Sequence, residues 1–235
     1  MYKRQIEEYE NYKLLTVSNA YRNASSVYRY ALIENGATLT DDLPRDAVVI
    51  RTPVKRVVIM ETVYVGYLDA LDQLDQICGA ASASYINHPK IIQGVESGDI
   101  QQIQSGQKLN IERLLLLEPD LILTTSIGGG QVDFSPQLQR AGLPVVLTAD
   151  YMEHHPLART EWLKFLAAFF ETDDSSKEIF NTIKAKYTSL VDKTKGIDEI
   201  PSVFCGAPYS GSWYVPGGDS FIARAIKDAG AHYLW

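Results

Sequence analysis

The sequence predicts an α/β protein: two lobes with mostly parallel sheets joined by one long helix, the second lobe truncated, and a β-rich lead-in at the N-terminus. Three observations carry this. From Val54 onward, short apolar strands alternate with amphipathic helical segments, the pattern of a parallel sheet with right-handed crossovers. The stretch Asn110 to Thr125, NIERLLLLEPDLILTT, compresses a capped helix, a proline stop and a buried strand into one unit. A helical segment from about Ser175 to Lys195 carries the stripe Ile179, Ile183, Tyr187, Leu190. At 1.5 Å per residue it is roughly 30 Å long, more than one small lobe needs, and it suits a strut. The expected organisation is therefore a β-hairpin lead-in over 1–52, a first lobe over 53–172, a linking helix over 173–198 and the start of an incomplete second lobe over 199–235.

In chain order, Lys13–Val17 and Val27–Ile33 read as strands, with Asn35-Gly36 as turn chemistry. Their dense tyrosines suit the packing of a half-exposed hairpin. Arg56–Met60 is a strand. Tyr64, Tyr67, Leu68, Leu71 and Leu74 form a helical stripe, and Ile77–Ala81 is a second strand. The loop region 82–106 carries Tyr85, His88 and a short helix over Pro89–Gly94. Asn110 caps the next helix, with Ile111, Leu114 and Leu115 on one face. Pro119 ends it for want of an N–H, and Leu121-Ile122-Leu123 is a run typical of a strand covered on both faces. A helix capped by Ser135, with Pro136 at its first position, has Gly142 just past its end. Pro144–Thr148 is a further strand. Pro156–Phe170 is helical. Pro201–Gly206 begins a new strand, Tyr209–Gly218 is an aromatic, glycine-rich loop, and Asp219 caps a last helix ending at Gly230. The chain breaks off just beyond that helix, where a strand is due, so a fragment is expected.

Composition narrows the function. Hydrophobic residues make up 46% of 235, enough for a core. Lys plus Arg is 22 against 29 Asp plus Glu, which argues against nucleic acid, whose phosphates need a basic face. Cys78 and Cys205 lie far apart in no CxxC pattern and read as buried small hydrophobes. No apolar run reaches membrane-spanning length, and Met1–Glu10 lacks the apolar core of a signal peptide.

No catalytic constellation emerges: there is no GxSxG elbow, Walker loop or HExxH. Gly128-Gly129-Gly130 follows a strand as phosphate loops do, but it lacks the spacing and the Lys-Ser/Thr pair, so a plain flexible loop is the better reading. His154-His155 beside Glu153 invites a metal, yet adjacent residues point in different directions on a regular element. Thr124-Thr125-Ser126 falls past the carboxyl end of a strand, where such sheets bind ligands. Tyr64, Tyr85, Tyr209 and Trp213 are aromatics on predicted loop edges, suited either to packing or to lining a cleft for a large, partly apolar ligand. Glu112 sits in the first turn of its helix, where the macrodipole alone rewards an acid by roughly 0.3–1 kcal/mol.

Four features together resemble the periplasmic substrate-binding proteins of ABC importers for iron–siderophores, haem and cobalamin. They are the strand Lys55-Arg56-Val57-Val58, Asn110-Ile111-Glu112 followed by Leu117-Glu118-Pro119-Asp120-Leu121, the run Gly142-Leu143-Pro144-Val145-Val146, and the long helix. The resemblance covers about Pro53 to the end. It implies two α/β lobes bridged by the helix, a metal chelate held between them, no metal or cofactor held by the protein itself, and no catalysis. It implies a monomer that delivers its ligand to an ABC permease dimer from the periplasm or from an anchor on the periplasmic face, the signal or lipoprotein segment being absent from this chain. Glu112 matches the glutamate that docks on the permease in the cobalamin-binding member. The loops matching ligand contacts in that member are Tyr85–His88, Gly106–Gln107, Thr125 and Cys205–Trp213; with the loop-edge Tyr64 and the strand-end Ser126 they make Tyr64, Tyr85, His88, Gln107, Thr125, Ser126, Tyr209 and Trp213 the ligand-binding candidates. Gly106 and Thr125 depart from that member in not being aromatic. The rivals are a free zinc or manganese carrier, a doubly wound enzyme using loop 124–130, and a sensor or scaffold lobe without transport.

Overall fold

The structure, a computed structural model, describes residues 4–39, 41–81, 83–106, 108–129, 133–196 and 198–235. The chain divides into two compact units, residues 1–149 with 163–175, and residues 150–162 with 176–235.

The first unit opens with four strands, β1 (Arg4–Glu8), β2 (Lys13–Ser18), β3 (Val27–Glu34) and β4 (Ala47–Thr52), in the order β1-β2-β3-β4. The lead-in is thus wider than the expected hairpin. Strands β1 to β3 run antiparallel, and β4 returns parallel to β3. Nor is it half-exposed at its centre. Tyr12, Leu14, Ala31 and Ile33 cluster on one face, while Leu15, Val17, Tyr30 and Leu32, of opposite parity, are buried on the other.

The second sheet has five parallel strands: β5 (Val57–Ile59), β6 (Ile77–Ala80), β7 (Gln101–Gln102), β10 (Leu121–Thr125) and β11 (Val145–Thr148), in the order β11-β10-β5-β6-β7. Between them come α1 (Val63–Ala70), α2 (Pro89–Ser97), the small antiparallel pair β8 (Gln104–Ser105) and β9 (Lys108–Leu109), α3 (Ile111–Leu117) and α4 (Ser135–Arg140). β5, β10 and β11 are wholly buried apart from Thr125, as strands covered on both faces must be.

The Asn110–Thr125 stretch folds as its residues dictate. Asn110 Oδ1 accepts from Arg113 N–H at 2.9 Å. Glu118 ends α3 in the left-handed conformation, φ 44°, and Pro119 follows. Asp120 then does more than turn the chain: one carboxylate oxygen accepts from the N–H of Lys55 at 2.8 Å and of Arg56 at 2.9 Å. The Arg56 guanidinium reaches back to the Leu117 carbonyl with Nε at 2.8 Å and Nη2 at 2.6 Å, covering an orphan carbonyl at the helix end. Only Leu114 of α3 is buried; Leu115 is exposed and Leu116 is 85% exposed, so the apolar face is narrower than its pattern suggests.

The second unit holds α5 (Pro156–Thr160) and most of α7 (Asp173–Lys193); α6 (Trp162–Ala167) intervenes in the chain, so the expected helix over 156–170 is broken. Beyond α7 come β12 (Ser202–Val203), the hairpin β13 (Pro208–Tyr209) and β14 (Ser212–Trp213), α8 (Phe221–Asp228) and β15 (His232–Tyr233), which pairs parallel with β12. The hairpin turns on Ser210 and Gly211, both at positive φ, 47° and 80°, as a two-residue hairpin of this twist requires. α8 is capped by Ser220, whose hydroxyl accepts from Ala223 N–H at 3.2 Å; Asp219 instead offers its carbonyl to His154. Phe204, Trp213, Trp235 and Tyr233 form a chain of edge and tilted ring contacts, 5.4–5.8 Å between centroids. Cys78 is buried, but Cys205 is part-exposed, against expectation.

Asp120→Ala leaves two strand-leading N–H groups without their acceptor. A loss of about 1–3 kcal/mol is expected, read as a lowered midpoint in urea, with Asp120→Asn, which keeps an acceptor oxygen, falling between.

Candidate functional site

The order β11-β10-β5-β6-β7 places the topological switch point between β5 and β10, because the chain moves outward from β5 through β6 and β7 and then returns to β10. Ligands of open α/β sheets bind at that crevice, past the carboxyl ends of the strands. The residues there are Met60 and Glu61 after β5, and Thr124, Thr125 and Ser126 at the end of β10.

Glu61 bridges the two strand ends. Its Oε1 accepts from the Thr125 N–H at 3.2 Å, the Thr125 hydroxyl at 3.0 Å and the Thr124 hydroxyl at 3.2 Å. The Thr124 hydroxyl has a second acceptor within reach, the Thr125 carbonyl, also at 3.2 Å. Oε2 is buried and has no hydrogen-bond partner. Burial pushes the carboxyl up to about 7, the hydrogen bonds from Thr125, Thr124 and Tyr64 opposing it only in part.

Asp133 is its opposite. Oδ2 accepts from the Ser126 hydroxyl at 2.6 Å, the Ile127 N–H at 3.2 Å and the Gly129 N–H at 3.0 Å; Oδ1 accepts from the Ser135 N–H at 3.1 Å and hydroxyl at 2.6 Å. Burial would raise its pKa, but the hydrogen bonds outweigh burial and hold it below the usual carboxylate range. The glycine loop is therefore organised around an internal anion. Gly128, at φ +85°, lies against Tyr21, and a Cβ there would meet the ring at 2.8 Å. Asp133 also does the capping expected of Ser135, which is the first residue of α4.

The predicted site residues scatter. Thr125 and Ser126 lie at the switch point, bonded to Glu61 and Asp133 as above. Tyr64 is fully buried, its hydroxyl 3.0 Å from Thr148 Oγ1; the core claims this ring, so it presents no face to a ligand. Tyr85 stands 83% exposed after β6. His88 precedes α2 with Nε2 3.7 Å from Asp69 and a buried, unpartnered Nδ1. Gln107 lies outside the described residues. Tyr209 and Trp213 belong to the second unit's hairpin, 77% and 44% exposed, with the indole donating to the Cys205 carbonyl at 3.1 Å. Glu112 is exposed on the first turn of α3, beside Lys108 and Arg113 around a shallow hollow. His154 and His155 engage different partners, the Asp219 carbonyl at 2.6 Å and the Leu157 N–H at 3.1 Å. Among the described residues no group of three or more His, Cys, Asp or Glu is placed to hold a metal ion.

Glu61 was missed. The available signal was an acid directly after the first buried strand, at the first βα turn, but its meaning depends on a strand order that no local pattern reveals.

The periplasmic binding protein family matches residues 57–234, and the chain belongs to that family. An uncharacterized lipoprotein of Methanocaldococcus jannaschii is 26% identical over 186 residues, 76% of this chain and 44% of that protein; the chain spans about half the length of such curated relatives. Among solved structures, a periplasmic binding protein from Veillonella parvula superposes with TM-score 0.66 at 12% identity, covering 98% of this chain and 68% of that one. S. aureus IsdE complexed with haem superposes with TM-score 0.56 at 21% identity, covering 77% and 65%. The parallel-sheet α/β fold with its long helix is thus the family's fold.

The Glu61 pKa sets a pH dependence. Below the ordinary value of 4.5 the folded and unfolded chains both hold the proton, and the full contribution is present. Between there and about 7 the unfolded chain binds fewer protons, so this group's contribution to stability falls as pH rises. Glu61→Gln removes the term: the melting temperature of the wild type should fall relative to that of the variant across this interval, and a constant difference would contradict the assignment.

Proposed function

We propose that the chain is the substrate-binding part of an ABC importer, capturing a metal chelate such as a ferric siderophore, haem or cobalamin and delivering it to a membrane permease. The family match over 57–234 is the observation that carries the reading, and the haem complex of a protein sharing the fold supports the ligand class. The chemistry is capture rather than catalysis, with the metal arriving inside its ligand. An extracytoplasmic location accords with the family and with the lipoprotein relatives. No described helix is long and apolar enough to cross a membrane.

In this reading the ligand-binding candidates of the first unit are Thr125, Ser126, Tyr85 and His88; within the second unit, taken by itself, they are the exposed Tyr209 and Trp213. Exposed aromatic faces suit a flat, partly apolar chelate. Glu112, projecting from α3, is the docking acid. An exposed ion pair is worth about 0–1 kcal/mol, so it orients the encounter and speeds it more than it tightens it.

Hemin, cyanocobalamin and a ferric siderophore titrated against tryptophan fluorescence test the capture. At least one should bind well below millimolar concentration, and binding by none would remove the reading. Glu112→Ala should leave ligand affinity intact while weakening association with the reconstituted permease by about fivefold or less at low salt. Unchanged docking would return Glu112 to its role at the helix start.

A further inference from the structure

Two carboxylates occupy donor clusters at the end of β10, and they are unequally suited to them. Asp133 has both oxygens satisfied by five donors within 3.2 Å. Such an anion is a permanent part of its loop. Glu61 has the three Thr124 and Thr125 donors on one oxygen, one of them shared with a carbonyl, and its other oxygen is buried with no partner within hydrogen-bond distance, the Tyr64 hydroxyl adding only a further favourable interaction. A buried oxygen without a partner forfeits the hydration it would have in water and gains nothing in exchange. The donors around it, however, are well placed: a backbone N–H and two hydroxyls converge on a single point, at the strand ends where this class of sheet receives ligands.

We propose that Thr124 and Thr125 form a receptor for a carboxylate of the ligand, and that Glu61 is its internal, displaceable occupant. Glu61 precedes Thr62, the residue that starts α1, and is part-exposed, so its side chain can leave by rotation without disturbing either strand. An incoming carboxylate takes the three donors, and Glu61 exchanges an unpaired buried oxygen for water. The exchange breaks no covalent bond. The ligand class this selects is a chelate carrying carboxylate arms, and that identity rests on the capture reading above; the receptor itself does not.

Glu61→Ala tests the receptor directly, because it deletes a fragment of the size of acetate. Millimolar sodium acetate should raise the melting temperature of Glu61→Ala in a saturable way, against sodium chloride at equal ionic strength. It should leave the wild type and Glu61→Gln, whose receptors are filled, unmoved. Adding Thr125→Val to Glu61→Ala should abolish the response. If Glu61→Ala folds only with acetate, its refolding yield becomes the readout. No acetate response in Glu61→Ala, or one that survives Thr125→Val, overturns the proposal.

The second arm uses hemin, which has two propionates, and its dimethyl ester, which has none. Removing a competing occupant worth one hydrogen-bonded group should tighten hemin binding to Glu61→Ala by about tenfold, with no gain for the ester. Weaker hemin binding to the variant would make Glu61 a direct contact and overturn displacement. Should hemin bind neither protein while acetate still acts, the haem form of the capture reading fails and the receptor stands.

Discussion

One carboxylate fixes the geometry on which the first unit depends. Asp120 leads β10, and by accepting the N–H groups of Lys55 and Arg56 it sets β10 beside β5 in parallel register, Leu121 against Val57. Those strands are adjacent in space and more than sixty residues apart in sequence. A short parallel pair brings few ladder bonds of its own, so a charged acceptor at its head counts for much. Arg56 completes the clasp from the other direction by gripping the end of α3. Once the two strands are aligned at this end, their carboxyl ends must coincide at the other, and Glu61 meets Thr124 and Thr125 there as a consequence.

How much of this was legible in the sequence depends on the range of the interaction concerned. The Asn110 cap, the Pro119 stop and the buried run after it are local, and the structure has them where the residues ask. The long helix lies within two residues of its expected span, Asp173–Lys193. Where the reading failed, a neighbour distant in sequence had decided. Tyr64 reads as a loop-edge aromatic until Thr148 takes its hydroxyl. Ser135 looks like the cap of α4, yet Asp133 answers both its N–H and its hydroxyl. Leu115 and Leu116 continue an apolar run that the packing of α3 does not use.

The site followed the same division. Thr125 and Ser126 lie at the switch point as expected, because strand polarity alone points to the end of β10. Glu61 was not, since the importance of the β5 turn arises only when β10 is inserted beside β5 and not beyond β7. The glycine loop lacks the spacing of a phosphate loop, yet the N–H groups of Ile127 and Gly129 do converge on an anion, one that the chain supplies from Asp133.

The lead-in sheet lies outside the family match at 57–234, and Tyr30 gives it a bearing on the family's own sheet. Strand β11 ends the five-stranded order and has β10 on one side only. Its Leu147 N–H donates to the buried Tyr30 hydroxyl at 2.9 Å. A strand paired on one side only leaves backbone groups its neighbour cannot satisfy, and because β11 (Val145–Thr148) is buried throughout, they need partners from within the chain. The tyrosine ends the hydrogen-bond ladder with a group that cannot extend it. The lead-in thereby satisfies a donor of that edge from outside the matched residues 57–234, through a buried phenol.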